Sequence, residues 1–357
     1  RQDKINQIFV YKGLKKTPVK EAKCGDIVVV SGISDISIGE TVTVMDDSQV
    51  MEMINIEEPT LSMNFMVNSS PFAGRAGKYV TTRNIKERLE KELEVNVGLK
   101  VEETQSTDSF KVSGRGELHL SILLENMRRE GYELAVSKPE VIMKNGENGR
   151  LLEPVEEVVI SVPDEYSGSV ISKLNLRKGL MNYMNSENGF TKLEYLVPTR
   201  GLLGYRSEFI NDTRGEGSMV RRFDSFEEYK GEIPQRNNGV AIAQEQGVAT
   251  PYALSNISER VKLFIEPGTE VYEGMIIGMN SRADDMVVNP TKAKKATNMR
   301  AAGNDDAVKL PPSKRFTLEE ALEFINDDEL VEIVPDDIRI RKKYLKELDR
   351  RRNTNNG

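Results

Sequence analysis

The fold class predicted for this chain is α+β and multidomain: a partial β-barrel, two tandem ferredoxin-like split βαβ domains, and a mostly β C-terminal domain with a helix. Three observations predict it. Short valine- and isoleucine-rich runs separated by turns fill residues 1–57. From Pro59 the text alternates period-2 segments with helical-period segments in the order β-α-β-β-α-β. The same order then occurs again from Pro154.

The opening runs are NQIFVYKG, GDIVVVSGI and GETVTVM. In the first repeat LSMNFMVN is the opening strand, and Ile85, Leu89 and Leu93 mark a helix. KVEETQS and SFKVSG give two strands, and YELAVSKP closes the unit. Between them Leu120, Leu123, Leu124 and Met127 fall at i, i+3, i+4 and i+7, one apolar stripe able to cover a sheet, with Gly131 as the expected C-cap. The second repeat reads VEEVVISVP, a helix through Val170, Ile171 and Leu174, strands at MNYMNS and FTKLEYLVP, a helix near RGLLGYRSEFI and a strand in GSMVRRF. Further on, Thr317 and Glu320 form a capping-box pair ahead of Leu318, Ala321, Leu322 and Ile325. The expected domains are therefore 1–57, 58–147, 148–236 and 237–357.

The sequence excludes several kinds of chemistry. One cysteine, Cys24, and one histidine, His119, leave no ordinary zinc site and no intrachain disulfide. His119 lies at the edge of the apolar stripe, where a histidine packs and bonds a backbone group more often than it catalyses. No G-x-x-x-x-G-K-[ST] loop occurs; AGRAGKY at 73–79 has the wrong glycine spacing and reads as a flexible loop. No apolar run is long enough to cross a bilayer, and no signal-peptide pattern opens the text, so a cytoplasmic location is expected. The chain starts with arginine, directly in strand-like text, and reads as a piece of something longer.

Charge is distributed unevenly. The net charge of −7 argues against a general nucleic-acid coat. Yet residues 286–316 hold seven cations against two acids, and 336–357 hold eight against four. The intervening TLEEALEFINDDELVEIV carries seven acids and no base. This segregation fits two basic surfaces beside an acidic helix face, or solvated surface alone. NPTKAKKATNMRAAGNDD has small and amide side chains, no periodicity and flexible lysines, and reads as an extended loop suited to RNA, with Arg339, Arg341, Lys342 and Lys343 as a second basic group.

Several stretches resemble one family. GRGELHLSILLENMRREGYELAVSKPEV is similar to the third domain of translational GTPases related to elongation factor G. AKCGDIVVVSGI resembles their second-domain barrel, and VPTRGLLGYRSEFINDTRGEGSM their fifth domain. SPFAGRAGKYVTTRNI, KATNMRAAGNDDAV and TLEEALEFINDDELVEIVPDDIRIRKKYL are most similar to the BipA/TypA family of ribosome-binding translational GTPases. The resemblance implies a C-terminal fragment without the GTPase domain: the remainder of the barrel, the third and fifth domains, and the family's own C-terminal domain. It implies that the fragment is not an enzyme and needs no cofactor or metal, GTP and Mg²⁺ belonging to the missing domain. The implied role lies in translation, ribosome assembly and stress adaptation. The implied partners are rRNA and the A-site tRNA, met by Lys292, Lys294, Lys295, Thr297, Asn298 and Arg300. A monomer that binds neither DNA nor membrane is expected. The alternative is a protein-interaction scaffold without direct RNA binding.

Overall fold

The computed structural model describes residues 3–34, 36, 38–43, 51–52, 58–146, 148–233, 236, 238–293 and 310–354. The chain divides into two compact units, Arg1–Glu57 and Glu58–Gly357. In the first, strands β1 (Gln7–Lys12), β2 (Lys15–Val19) and β3 (Val28–Ser31) form an antiparallel sheet in the order β2-β1-β3. The β1–β2 hairpin turns at Gly13, whose φ of +63° is one that a residue with a side chain rarely adopts. Among the described residues this sheet buries no side chain completely. Residues 39–43 of the expected GETVTVM strand are not in a strand, and Lys294, Lys295, Thr297, Asn298 and Arg300 of the expected RNA loop lie outside the described residues.

The second unit is α+β with several antiparallel sheets. β4 (Leu61–Met66), α1 (Thr82–Val95), β5 (Lys100–Glu103), β6 (Ser109–Gly114), α2 (Glu117–Glu130) and β7 (Leu134–Val136) follow the β-α-β-β-α-β order read from the sequence. The strands lie as β7-β4-β6-β5, the arrangement of a split βαβ unit. The α2 stripe packs as its spacing requires, with Leu120, Leu123, Leu124 and Met127 all buried. Gly131 ends the helix at φ +94°. In α1, Ile85 and Leu89 are buried, while Leu93 stays 39% exposed.

Two short strands, β8 (Glu140–Val141) and β9 (Lys144–Asn145), lead to β10 (Leu151–Pro163), α3 (Asp164–Leu176), β11 (Leu180–Glu187), β12 (Phe190–Pro198), α4 (Thr199–Leu202), α5 (Tyr205–Asp212) and β13 (Ser218–Glu228). Their sheet runs β13-β10-β12-β11, so all four strands of the unit take the same places as in the first repeat. The single helix expected near RGLLGYRSEFI is two. Leu203 is extended and Gly204 has φ +71°, so the helical ladder breaks between α4 and α5. Glu153, fully buried, pairs with Arg200 of α4, which also stacks on Tyr229.

The C-terminal part adds β14 (Val240–Ala243), β15 (Gly247–Val248), α6 (Pro251–Ser258), β16 (Val261–Leu263), β17 (Glu270–Val271), β18 (Ile276–Asn280), β19 (Met286–Val288), α7 (Leu318–Phe324), β20 (Glu329–Val334), β21 (Asp337–Lys342) and α8 (Glu347–Thr354). The capping box at Thr317 and Glu320 forms as read. One departure from the expected division at 236/237 matters for function. β20 pairs with β7, Val331 opposite Val136 and Ile333 opposite Leu134, so β20 and β21 extend the first split sheet. The core around Leu61, Phe65 and Leu124 accordingly includes Leu318, Leu322, Ile333 and Ile340. A strand such as ELVEIV, buried at all six positions, needs neighbours on both faces and on its edge.

Candidate nucleic-acid interface

The basic segment opens at Lys292, and its base is tied down by side chains. Thr250 caps α6 by accepting from the Ala253 N–H at 3.2 Å, and its hydroxyl donates to the Lys292 carbonyl at 2.7 Å. The Thr250 N–H donates to the Pro290 carbonyl at 2.9 Å. Asn289 Nδ2 and Thr291 Oγ1 both donate to Glu245 Oε1, each at 2.7 Å. Those bonds hold the Glu245 carboxyl below its ordinary range, the Thr291 hydroxyl most strongly. Gly247 is needed here: a Cβ would lie 2.7 Å from Thr291 Cγ2. Lys292 itself is exposed. Tyr252, 40% exposed, stands on the same first turn of α6.

The second basic group departs from expectation. Arg341 and Lys342 are both 2% exposed. Arg341 Nε pairs with Glu332 Oε1 at 3.0 Å, and Nη2 donates to Ser69 Oγ at 3.1 Å. Arg339 Nε donates to Glu332 Oε2 at 3.1 Å, and Tyr272 donates its hydroxyl proton to Glu332 Oε1 at 2.6 Å. Lys342 Nζ reaches Asp285 and Asp328 at 2.7 Å and Glu329 at 3.1 Å. Burial opposes the Lys342 charge, but Glu329, Asp285 and Asp328 together lift its pKa above the ordinary value. Arg236 closes on Glu329 from the other side at 2.8 Å. The acidic and basic runs are therefore not separate surfaces. β20 and β21 pair antiparallel, setting Glu332 opposite Arg339 and Glu329 opposite Lys342, and the charges neutralise one another inside. Arg339, Arg341 and Lys342 are structural; Lys343, exposed, is not part of this network.

The glycine loop at 73–79 is also organised rather than flexible. Glu133, 1% exposed, accepts from Asn68 Nδ2 at 2.9 Å, from the Gly74 N–H at 2.9 Å and from the Gly77 N–H at 3.0 Å. The backbone N–H groups that would cradle a phosphate in a nucleotide loop are taken by a carboxylate of the protein. The loop carries Phe72 into the core around Tyr272, ring centroids 4.9 Å apart at 79°, while Arg75 pairs with Glu270 at 3.0 Å. It fastens the first split sheet to the C-terminal strands.

His119 packs as its place on the stripe implies. Its Nδ1 accepts from the Arg115 N–H at 3.4 Å, and Nε2 meets the Asn96 side chain at 2.8–3.0 Å. Burial, then Arg115, lowers its pKa and keeps the ring neutral.

Glu117, in the first turn of α2, was not singled out by the sequence. Its Oε1 is sealed from water without a hydrogen bond. Burial, reinforced by Glu323 and opposed by Arg221, pushes its pKa up to about 7 from 4.5. Between those values the folded chain holds a proton that the unfolded chain has released, so this group's contribution to stability declines as pH rises through the window. Replacing Glu117 with glutamine is expected to raise the melting temperature by about 2 °C at pH 8 and to change it little at pH 5. Calorimetry at the two pH values checks this, and equal shifts at both would contradict it.

Among the described residues no group of three or more His, Cys, Asp or Glu is placed to hold a metal ion, and no helix is long and apolar enough to cross a membrane. Cys24 is exposed.

Two domain families match along the chain. The elongation factor G C-terminus matches residues 150–237, the span of the second split unit, and the TypA/BipA C-terminal domain matches residues 238–347. The chain is 50% identical over 349 residues to the large ribosomal subunit assembly factor BipA of Bacillus subtilis, covering 97% of this chain and 57% of that protein. It is 49% identical over 354 residues to the same factor from Escherichia coli K12, covering 99% and 58%. The factor from Haemophilus influenzae is 50% identical over 354 residues, covering 99% and 57%. The chain thus spans a little over half the length of the curated relatives it matches. A crystal structure from Thermus thermophilus overlaps 63% of this chain and 49% of its own at a TM-score of 0.35 and 16% identity, a likeness that carries no argument.

Proposed function

The chain belongs to the TypA/BipA family, and from that premise we propose that it is the ribosome-binding, RNA-contacting portion of a GTP-dependent factor acting in large-subunit assembly, translation and stress adaptation. In this reading the two split units stand for the third and fifth domains of the translational GTPases, and residues 1–57 for the remainder of the barrel. GTP, Mg²⁺ and hydrolysis belong to another part of the whole protein. This portion, a cytoplasmic monomer, contributes binding and no catalysis.

The observation that carries the reading is the base of the basic segment. Glu245 and Thr250 fix the chain up to Lys292, and five more RNA-suited residues, Lys294, Lys295, Thr297, Asn298 and Arg300, follow within eight positions. The fixed base sets the position of Lys292, and the sequence that follows it is rich in cations. Ammonium groups on long stems then follow a phosphate backbone without demanding one geometry. rRNA and the acceptor end of the A-site tRNA are the proposed targets; Lys343 remains a candidate beside them.

Sedimentation of the chain with large ribosomal subunits over a salt series tests this. Log affinity is expected to fall linearly with log salt, with a slope of several units, because each phosphate met releases counterions. Binding with a flat salt response would favour a protein-scaffold reading. One observation supports that second reading: all eight residues of the edge strand β11 are exposed, Leu180, Tyr183 and Met184 among them at 59%, 46% and 49%.

A further inference from the structure

The internal pairing of β21 leaves a different set of cations at the surface. Of the eight basic residues between 336 and 357, Arg339, Arg341 and Lys342 are committed to buried carboxylates, and Arg350 donates to the Tyr344 carbonyl at 3.1 Å and to the Leu345 carbonyl. Lys343, Lys346, Arg351 and Arg352 are exposed on and just before α8. Among the described residues only Arg351 of these four has a carboxylate partner, Glu347 one turn away at 2.5 Å.

Helix formation accounts for Arg351 and Arg352 but not for Lys343 and Lys346. Cations in the last turn of a helix complement its dipole, and Arg351 and Arg352 sit there. Lys343 and Lys346 precede the N-terminus of α8, where the same dipole opposes positive charge. Between them Tyr344 is 40% exposed, and its ring lies 6.0 Å from Lys343 Nζ. Leu348, on the helix face shared with Arg351 and Arg352, is 68% exposed. The segment is nonetheless held in place. Leu345 packs against Gly274, where a Cβ would lie 2.6 Å from Leu345 Cα, and the Glu347 N–H donates to Glu273 Oε1 at 3.3 Å.

We propose that Lys343, Tyr344, Lys346, Arg351 and Arg352 form a second RNA-contacting surface, separate from the segment that begins at Lys292, in which the four cations meet phosphates and the Tyr344 ring stacks on an unpaired base. An acidic protein would meet the same cations and would bury the same ring, and the crosslinking outcome below separates the two partners. A single-stranded RNA stretch uses both, since every base offers a flat face and every linkage a charge. The proposal rests on the ribosome-binding reading and adds to it a defined site.

The test uses the whole chain and large ribosomal subunits. Replacing Lys343, Lys346, Arg351 and Arg352 together with alanine is expected to shrink the slope of log affinity against log salt by roughly two to four units. The melting temperature stays within about 2 °C, since these side chains are exposed. Tyr344→Ala is expected to weaken binding roughly fivefold or more, and Tyr344→Phe, which keeps the ring, to leave it near wild type. Ultraviolet crosslinking should join rRNA to the wild-type chain and to a lesser extent to Tyr344→Ala. If the wild-type chain binds with its salt slope but neither set of changes alters it, this surface is overturned and the ribosome-binding reading stands. Crosslinks that run to a ribosomal protein at Tyr344 likewise overturn the RNA assignment. A wild-type chain that does not sediment with ribosomes overturns both.

Discussion

Replacing Glu332 with glutamine is expected to cost about 3–5 kcal/mol of folding stability. Glu332 has no exposed surface and binds three partners: Arg339, Arg341 and the Tyr272 hydroxyl. Glutamine keeps the shape and removes the charge. Arg341, 2% exposed, then keeps its guanidinium in the interior without a counter-charge. Desolvation of an ion is offset only by a well-placed partner, so breaking the pair costs far more than forming it gains. Arg339 has a second carboxylate, Asp337, 3.6 Å away at the surface, and suffers less. The double change Glu332→Leu with Arg341→Met is accordingly expected to recover most of the loss, because two apolar side chains of similar volume need no compensation. Denaturant unfolding of the three proteins measures both effects. A loss below about 1 kcal/mol in Glu332→Gln would mean that water reaches the hub.

The same hub shows where sequence reading stops. The α2 stripe was legible because a helix that covers a sheet must repeat its apolar residues every three to four positions, and Leu120, Leu123, Leu124 and Met127 do so. The two β-α-β-β-α-β orders were legible for the same kind of reason. The charges of β20 and β21 were not. A run of acids followed by a run of bases is read along the chain as two surfaces. A tight antiparallel pairing folds one run onto the other and places Glu332 across from Arg339. The available signal was the apolar residues interleaved in ELVEIV and DIRIRK, which mark strands buried on both faces rather than a solvated helix.

Long-range partners set the other limit. The glycine spacing at 73–79 rightly excluded a nucleotide loop. Nothing local shows that Glu133, more than 50 residues on, fills the cradle. Thr250 and Glu245 likewise stand more than 40 residues before the segment they anchor, so the base of the candidate site emerges only from the folded chain. Gly204 is a break that the single helix expected near RGLLGYRSEFI passed over: at φ +71° this glycine ends one helix and starts the next.

The second large effect concerns the basic segment. Changing Lys292, Lys294 and Lys295 to alanine should leave the fold intact, because Lys292 is exposed and its contribution to the base of the segment is its carbonyl, which alanine retains. Ribosome affinity should fall by well over tenfold at low salt if each lysine neutralises about one phosphate. Glu245→Ala makes a useful companion, since it keeps every cation and removes only the bonds from Asn289 and Thr291. It should weaken binding while leaving the salt slope unchanged.

The most direct measurement is one salt series, with wild type and the triple lysine variant sedimented against large ribosomal subunits and their melting temperatures recorded alongside. The ribosome-binding account predicts that the triple change shrinks the slope of log affinity against log salt by roughly two to three units at an unchanged melting temperature. Identical slopes and affinities for the two proteins would contradict it and remove the segment beginning at Lys292 from the RNA-binding surface.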